Sequence, residues 1–147
     1  MQRFNGHCIR LTTAALFVGM VIGCSAEIPS GVAERWYTID DVAKGKTLFL
    51  SHCASCHGQS AEATAEWRTT DANGNYPPPP LNGSAHGWHH PLSSLEQTIA
   101  TGGAEFGGVM PGFGETLSED EVRATIAYFQ SFWSNEVYVR WQEINSQ

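Results

Sequence analysis

The run Cys53-Ala54-Ser55-Cys56-His57 constrains this chain more than any other feature. It puts two thiols and an imidazole on a single turn of chain. The thiols can add to the two vinyl groups of one haem, and the imidazole is then held under the iron as an axial ligand. Two rival uses of a Cys-x-x-Cys pair fit less well. A zinc site needs about four ligands, and the four cysteines are Cys8, Cys24, Cys53 and Cys56, with no second pair. A thioredoxin-like dithiol expects a βαβ setting, and the flanks here carry a helical pattern.

The first 23 residues read as a signal peptide. Arg3, His7 and Arg10 make a weakly basic start, and residues 11–22 are mostly apolar with no Asp, Glu, Lys or Arg. That run is short for a bilayer span and suits a signal h-region. Val21-Ile22-Gly23-Cys24 resembles a bacterial lipobox. The resemblance implies that Cys24 is acylated and becomes the first residue of the mature protein. The alternative is ordinary secretory cleavage nearby, with Cys24 lost or free. Acylation anchors a protein to a membrane without making it span. Ser25 after the cysteine favours the outer over the inner membrane by analogy. The expected plan is therefore a signal at 1–23, a lipidated tether at 24–37 and one folded domain at 38–147. Removing residues 1–23 takes away Arg3 and Arg10 but no acid, so the formal charge goes from −7 to −9. Nucleic-acid binding is excluded on that balance. A soluble acidic surface or a partner with a basic patch both fit it.

The remaining chain reads as helices joined by loops. Thr38-Ile39-Asp40-Asp41 has the form of a capping box, and Val42, Leu48 and Phe49 follow as apolar positions around Gly45. Gly45 is either a surface glycine or the place where another helix crosses closely. Residues 59–76 form a long polar connection, and Pro77 to Pro80 follow as a stiff extended segment. Ser93 and Glu96 predict a second capping box for a helix ending near Thr101. Residues 104–114 are a Gly-rich loop. Ser118 and Glu121 cap the next helix, on which Val122, Ile126, Phe129 and Trp133 recur at helical spacing. A last helix is predicted over 135–144.

A haem iron has two axial positions, and His57 takes one. Of the three methionines, Met1 and Met20 leave with the signal, so Met110 is the one thioether of the mature chain. It sits between Val109 and Pro111 in the glycine loop, where core filler seldom sits. Met/His ligation raises the reduction potential.

With these residues the chain resembles a bacterial class I monohaem cytochrome c over about residues 39–133. Gly45, Phe49 and the Cys53–His57 motif match the family's first helix and attachment site. Pro79, Leu81 and Gly83 match its Pro-x-Leu-x-Gly segment. Met110-Pro111 matches the axial methionine loop, and Ile126-Ala127-Tyr128 the last family helix. The resemblance implies an all-α cytochrome c fold, three to five helices around one covalent haem c. It implies that the Pro79 carbonyl accepts a bond from His57, that Leu81 packs on the haem, and that an aromatic of the last helix crosses the first near Gly45. It implies a one-electron carrier rather than an enzyme, with a redox donor and acceptor that include a membrane respiratory complex, on the periplasmic side of a bacterial membrane.

Three departures stand out: the long connection 59–76, the aromatic tail after Trp133, and the tract Ala85-His86-Gly87-Trp88-His89-His90. His-rich tracts can bind metal. His86, Trp88, His89 and His90 are read as packing on the haem edge or contacting a propionate; the rivals are a copper site, or His89 or His90 replacing Met110 as axial ligand. Two other function classes stay open: a small haem enzyme or gas sensor with a labile sixth ligand, and a copper-handling lipoprotein.

Overall fold

Thr38 caps the first helix as its spacing predicts. Its hydroxyl accepts from the Asp41 amide, and its own N–H donates to the Asp41 carboxylate at 2.8 Å. The computed structural model describes residues 34–146. The signal, Cys24 and the tether up to residue 33 lie outside the described residues. Among those described there are five α-helices and one isolated bridge, with no strand: α1 Ile39–His52, α2 Ala54–His57, α3 Leu92–Thr101, α4 Glu119–Gln130 and α5 Asn135–Asn145. This is the all-α architecture of the expected fold. No described helix is long and apolar enough to cross a membrane.

α1 and α4 are the most extensively packed pair. α4 begins where Ser118 and Glu121 predict, with the Ser118 N–H and hydroxyl both donating to the Glu121 carboxylate. Its inner face brings Val122, Ile126 and Phe129 into the core. Phe49 of α1 is fully buried, and its ring centroid lies 5.2 Å from that of Tyr128. The crossing point is Gly45, so the aromatic of α4 does meet α1 beside that glycine.

α3 begins differently from its sequence reading. The cap is Pro91, not Ser93, and no side chain of the cap bonds into the helix. The Leu92 N–H is instead taken by the Asn145 side chain at 2.9 Å. An end residue 53 positions away supplies the partner, so the local pattern placed the cap two residues too late, on Ser93.

The aromatic tail closes the other side of the molecule. Tyr138 and Trp141 of α5 are buried, and Trp141 donates to the His90 carbonyl at 2.9 Å. Residues grouped with the tether in the sequence reading also pack here. The Trp36 N–H donates to the Tyr138 hydroxyl, its indole N–H donates to Gln130 at 2.7 Å, and the Arg35 guanidinium lies 3.9 Å over the Tyr138 ring.

Candidate haem site

α2 is a single turn joined to α1 by Cys53 alone. The Cys53 N–H donates to Phe49, and the His57 N–H donates back to Cys53 at 2.9 Å. This carries the motif straight off the end of a helix that is locked to α4. Neither cysteine is in a disulfide, so both sulfurs are available for attachment; on the polypeptide alone Cys53 is buried and Cys56 exposed. Burial, then the neighbouring Cys56 sulfur, pushes the Cys53 thiol up to about 11.

His57 is buried, and its Nδ1 lies 3.0 Å from the Pro79 carbonyl. A carbonyl can only accept, so Nδ1 carries the hydrogen. Nε2 then has its lone pair available and no hydrogen bond among the described residues. Burial pushes His57 down from its ordinary value, and the Pro79 contact opposes this. The outcome is a neutral imidazole turned by the Pro79 carbonyl, the arrangement a metal-binding histidine needs.

The segment just after Pro79 is held from two sides. The Ala61 carbonyl accepts from the Leu81 and Asn82 amides at 2.8 and 3.2 Å. The Trp133 indole N–H donates to the Leu81 carbonyl at 2.7 Å, and Gly83 lies against the Trp133 ring. The sequence singles out Pro79, Leu81 and Gly83, but not Ala61 and Trp133, which support them. No local pattern in either residue signals a partner twenty or fifty positions away.

The turn that offers Ala61 is strained. Ala61 and Ala63 have φ of +57° and +41°, the left-handed region that costs a residue with a Cβ about 1 kcal/mol or more. Ala63→Gly is expected to raise stability by about 0.5 kcal/mol, since strain relief exceeds glycine's extra unfolded-state entropy. Thermal denaturation should show a rise of about 2 °C. Ala61→Gly should show no gain, because Ala61 is fully buried and loses packing of a methyl group.

Met110 is partly buried and packs, with Leu81 and Trp88, against the core cluster that contains Cys53. Its backbone is threaded closely: a Cβ on Gly102 would lie 2.7 Å from the Met110 carbonyl oxygen. After Met110, the Phe113 and Gly114 amides donate to Ile99 and Ala100 at the end of α3.

The His-rich tract is engaged in ring contacts. His86 stacks on Trp67 with centroids 4.5 Å apart and planes 13° apart, His90 meets His86 edge-on, and His89 tilts against Trp88. Among the described residues no group of three His, Cys, Asp or Glu side chains could hold a metal ion. The geometry therefore gives no support to a copper site here. Burial lowers both His86 and His90. His89 adds to this at both, while His90 and Arg68 also act on His86. A histidine depressed in the folded state lets the unfolded chain bind more protons as pH falls. Stability should thus be full above about pH 6.5 and decline below it, ahead of carboxylate protonation. Urea titrations from pH 7.5 to 5 check this, and the H86Q/H90Q double variant should flatten the slope.

Two surface clefts, of about 450 and 410 Å³, have none of Cys53, Cys56, His57 or Met110 in their walls. The chemistry sits instead on the Cys53–His57 turn. Its donor set fits a covalent haem: two unpaired thiols three positions apart, one exposed, beside an imidazole whose Nδ1 is occupied and whose Nε2 is free.

The family model described as "Cytochrome C oxidase, cbb3-type, subunit III" matches residues 40–129, more than half of the chain. A cytochrome c6 of Picosynechococcus sp. is 30% identical over 88 residues, covering 60% of this chain and 70% of its own length. No solved structure matches. The family match takes in nearly all of α1, the attachment turn, the Pro79 segment, the Met110 loop and most of α4. The chain belongs to the class I monohaem cytochromes c: it holds a covalent haem c and serves as an electron carrier, not an enzyme.

Proposed function

We propose that this protein is a one-electron carrier on the periplasmic side of a bacterial membrane, with His57 and Met110 as axial pair and acylated Cys24 as anchor. The observation that carries the reading is the 3.0 Å contact of His57 Nδ1 with the Pro79 carbonyl. It aims a neutral imidazole and leaves Nε2 for the metal.

When bound, the haem supplies an iron(III)/iron(II) couple. Every other requirement falls on the chain. Cys53 and Cys56 hold the group by two thioether bonds, so it stays in both redox states. Pro79 fixes the tautomer and direction of His57. Phe49 and Leu81, with the α4 face, provide apolar packing that excludes water. Met110 presents a soft thioether, which favours the reduced state. With His57 and Met110 both holding the iron, the site would leave no place for a substrate, as suits a carrier. By the family resemblance, a donor or acceptor would approach the haem edge near the Cys53 and Cys56 attachment bonds.

The formal charge of −9 after signal removal favours a partner with a basic docking surface. The oxidase-subunit description of the matching family favours a membrane respiratory complex among the partners.

The test is a visible spectrum of the protein matured in a periplasm. Sharp reduced c-type bands, a weak far-red band when oxidised and no shift with carbon monoxide are expected. A clear carbon monoxide shift moves the protein to the sensor or enzyme class. Membrane fractionation of Cys24→Ala tests the anchor: this variant should appear in the soluble fraction.

A further inference from the structure

The long connection 59–76, a departure from a minimal member of the family, ends on the loop that carries Met110. The Tyr76 N–H donates to the Gly107 carbonyl at 3.1 Å, and Tyr76 forms a parallel bridge with Gly108. The Tyr76 ring covers Gly107, where a Cβ would lie 3.6 and 3.8 Å from ring carbons. Gly108 in turn donates to Gly103 at 3.0 Å, and Gly103 donates to the Met110 carbonyl at 2.9 Å. A Cβ on Gly103 would be 3.2 Å from Met110 Cβ, so this backbone lies directly against the methionine.

The two arms of the loop are held differently. Beyond Met110, Phe113 and Gly114 are pinned to α3, and the Phe113 ring meets His52 of α1. Before Met110, Phe106 and Val109 are 68% and 63% exposed and contribute little packing. Among the described residues, Tyr76 makes the one hydrogen bond to residues 104–109 that comes from outside residues 103–110. A glycine-rich arm with no anchor of its own opens easily.

We infer that Tyr76 is a positioning residue for Met110: the long connection folds back and clamps the free arm of the methionine loop through Tyr76. This rests on Met110 being the sixth ligand. The clamp keeps the thioether at the iron and so keeps the iron closed, without Tyr76 touching the haem. A connection that looks like an insertion thereby acts on the axial field.

The test uses the full-length haem-loaded protein, with the far-red band of the oxidised form and the rate of carbon monoxide binding to the reduced form as readouts. Tyr76→Ala should speed carbon monoxide entry about tenfold, the size expected from losing the contact of a half-buried ring. The far-red band should vanish at a lower temperature than helix unfolding. Tyr76→Phe keeps the ring and the backbone bond and should restore wild-type behaviour. A wild-type rate and band in Tyr76→Ala overturn the clamp while leaving Met110 as ligand. A wild-type protein with no far-red band that binds carbon monoxide freely overturns the ligand assignment, and the clamp with it. Hydrogen exchange on the wild-type protein covers the case in which Tyr76→Ala does not accumulate. The Tyr76 and Gly108 amides should then open at the rate at which carbon monoxide enters. Entry while the Tyr76 amide stays protected would overturn the proposal.

Discussion

Gly45→Ala is expected to lower the melting temperature of the haem-loaded protein by about 10 °C or more, from a loss of about 3 kcal/mol. The reason is the α1–α4 crossing. A Cβ at residue 45 would sit 1.8 Å from the Ala124 carbonyl oxygen and 3.1 Å from Tyr128 Cβ. The first neighbour is helix backbone and cannot rotate away, so the helices must separate. Separation loosens Phe49 against Tyr128 and, one turn on, the Cys53 end of α1. At an exposed mid-helix site the same substitution would stabilise by about 1 kcal/mol, so the sign of the effect is itself the test. Lys46→Ala, on the exposed side of α1, serves as the control and should stay within about 0.5 kcal/mol of wild type. A Gly45→Ala protein as stable as wild type would show that the crossing is not tight.

Met110→Ala is expected to give the largest functional change. The covalent haem should remain, since Cys53, Cys56 and His57 are untouched. The far-red band should disappear, and the reduced protein should bind carbon monoxide. The reduction potential should fall by on the order of 100 mV, a modest part of the roughly 0.8 V that axial ligands span. The direction follows from losing a soft donor that favours iron(II). Stability should fall by only about 1–2 kcal/mol, because Met110 is partly buried and the loop backbone is held by Gly103, Phe113 and Gly114. Met110→His separates the two effects, since a second imidazole should lower the potential yet keep the iron closed. An unchanged potential in Met110→Ala would sink the axial assignment.

Much of the fold could be read from local pattern. The caps at Thr38 and Ser118, the α4 stripe through Val122, Ile126 and Phe129 and the final helix lie where spacing puts them, because each depends on residues three or four positions apart, although α4 stops at Gln130 and leaves Trp133 beyond it. The attachment turn was legible for the same reason. The start of α3 was not, because its first amide is satisfied by Asn145 from the far end of the chain. The His86–His90 tract illustrates the opposite limit. Its composition suggests a metal, yet among the described residues no three donor side chains converge there, and the histidine rings pack on Trp67, on Trp88 and on one another. Composition counts donors, whereas coordination needs them to converge.

By itself the sequence determined the chemistry: the thiols of Cys53 and Cys56, the imidazole of His57 and the thioether of Met110, at spacings that suit a single covalent haem. Those are properties of residue identity and of distance along the chain. Only the tertiary structure decided how these groups are held. It placed the Pro79 carbonyl on His57 Nδ1 and Trp133 and Ala61 behind Pro79. It made Gly45 a helix crossing and brought Tyr76 onto the methionine loop. Each of these joins segments roughly twenty to eighty positions apart. Such contacts form only when burial of the helix faces brings those segments together.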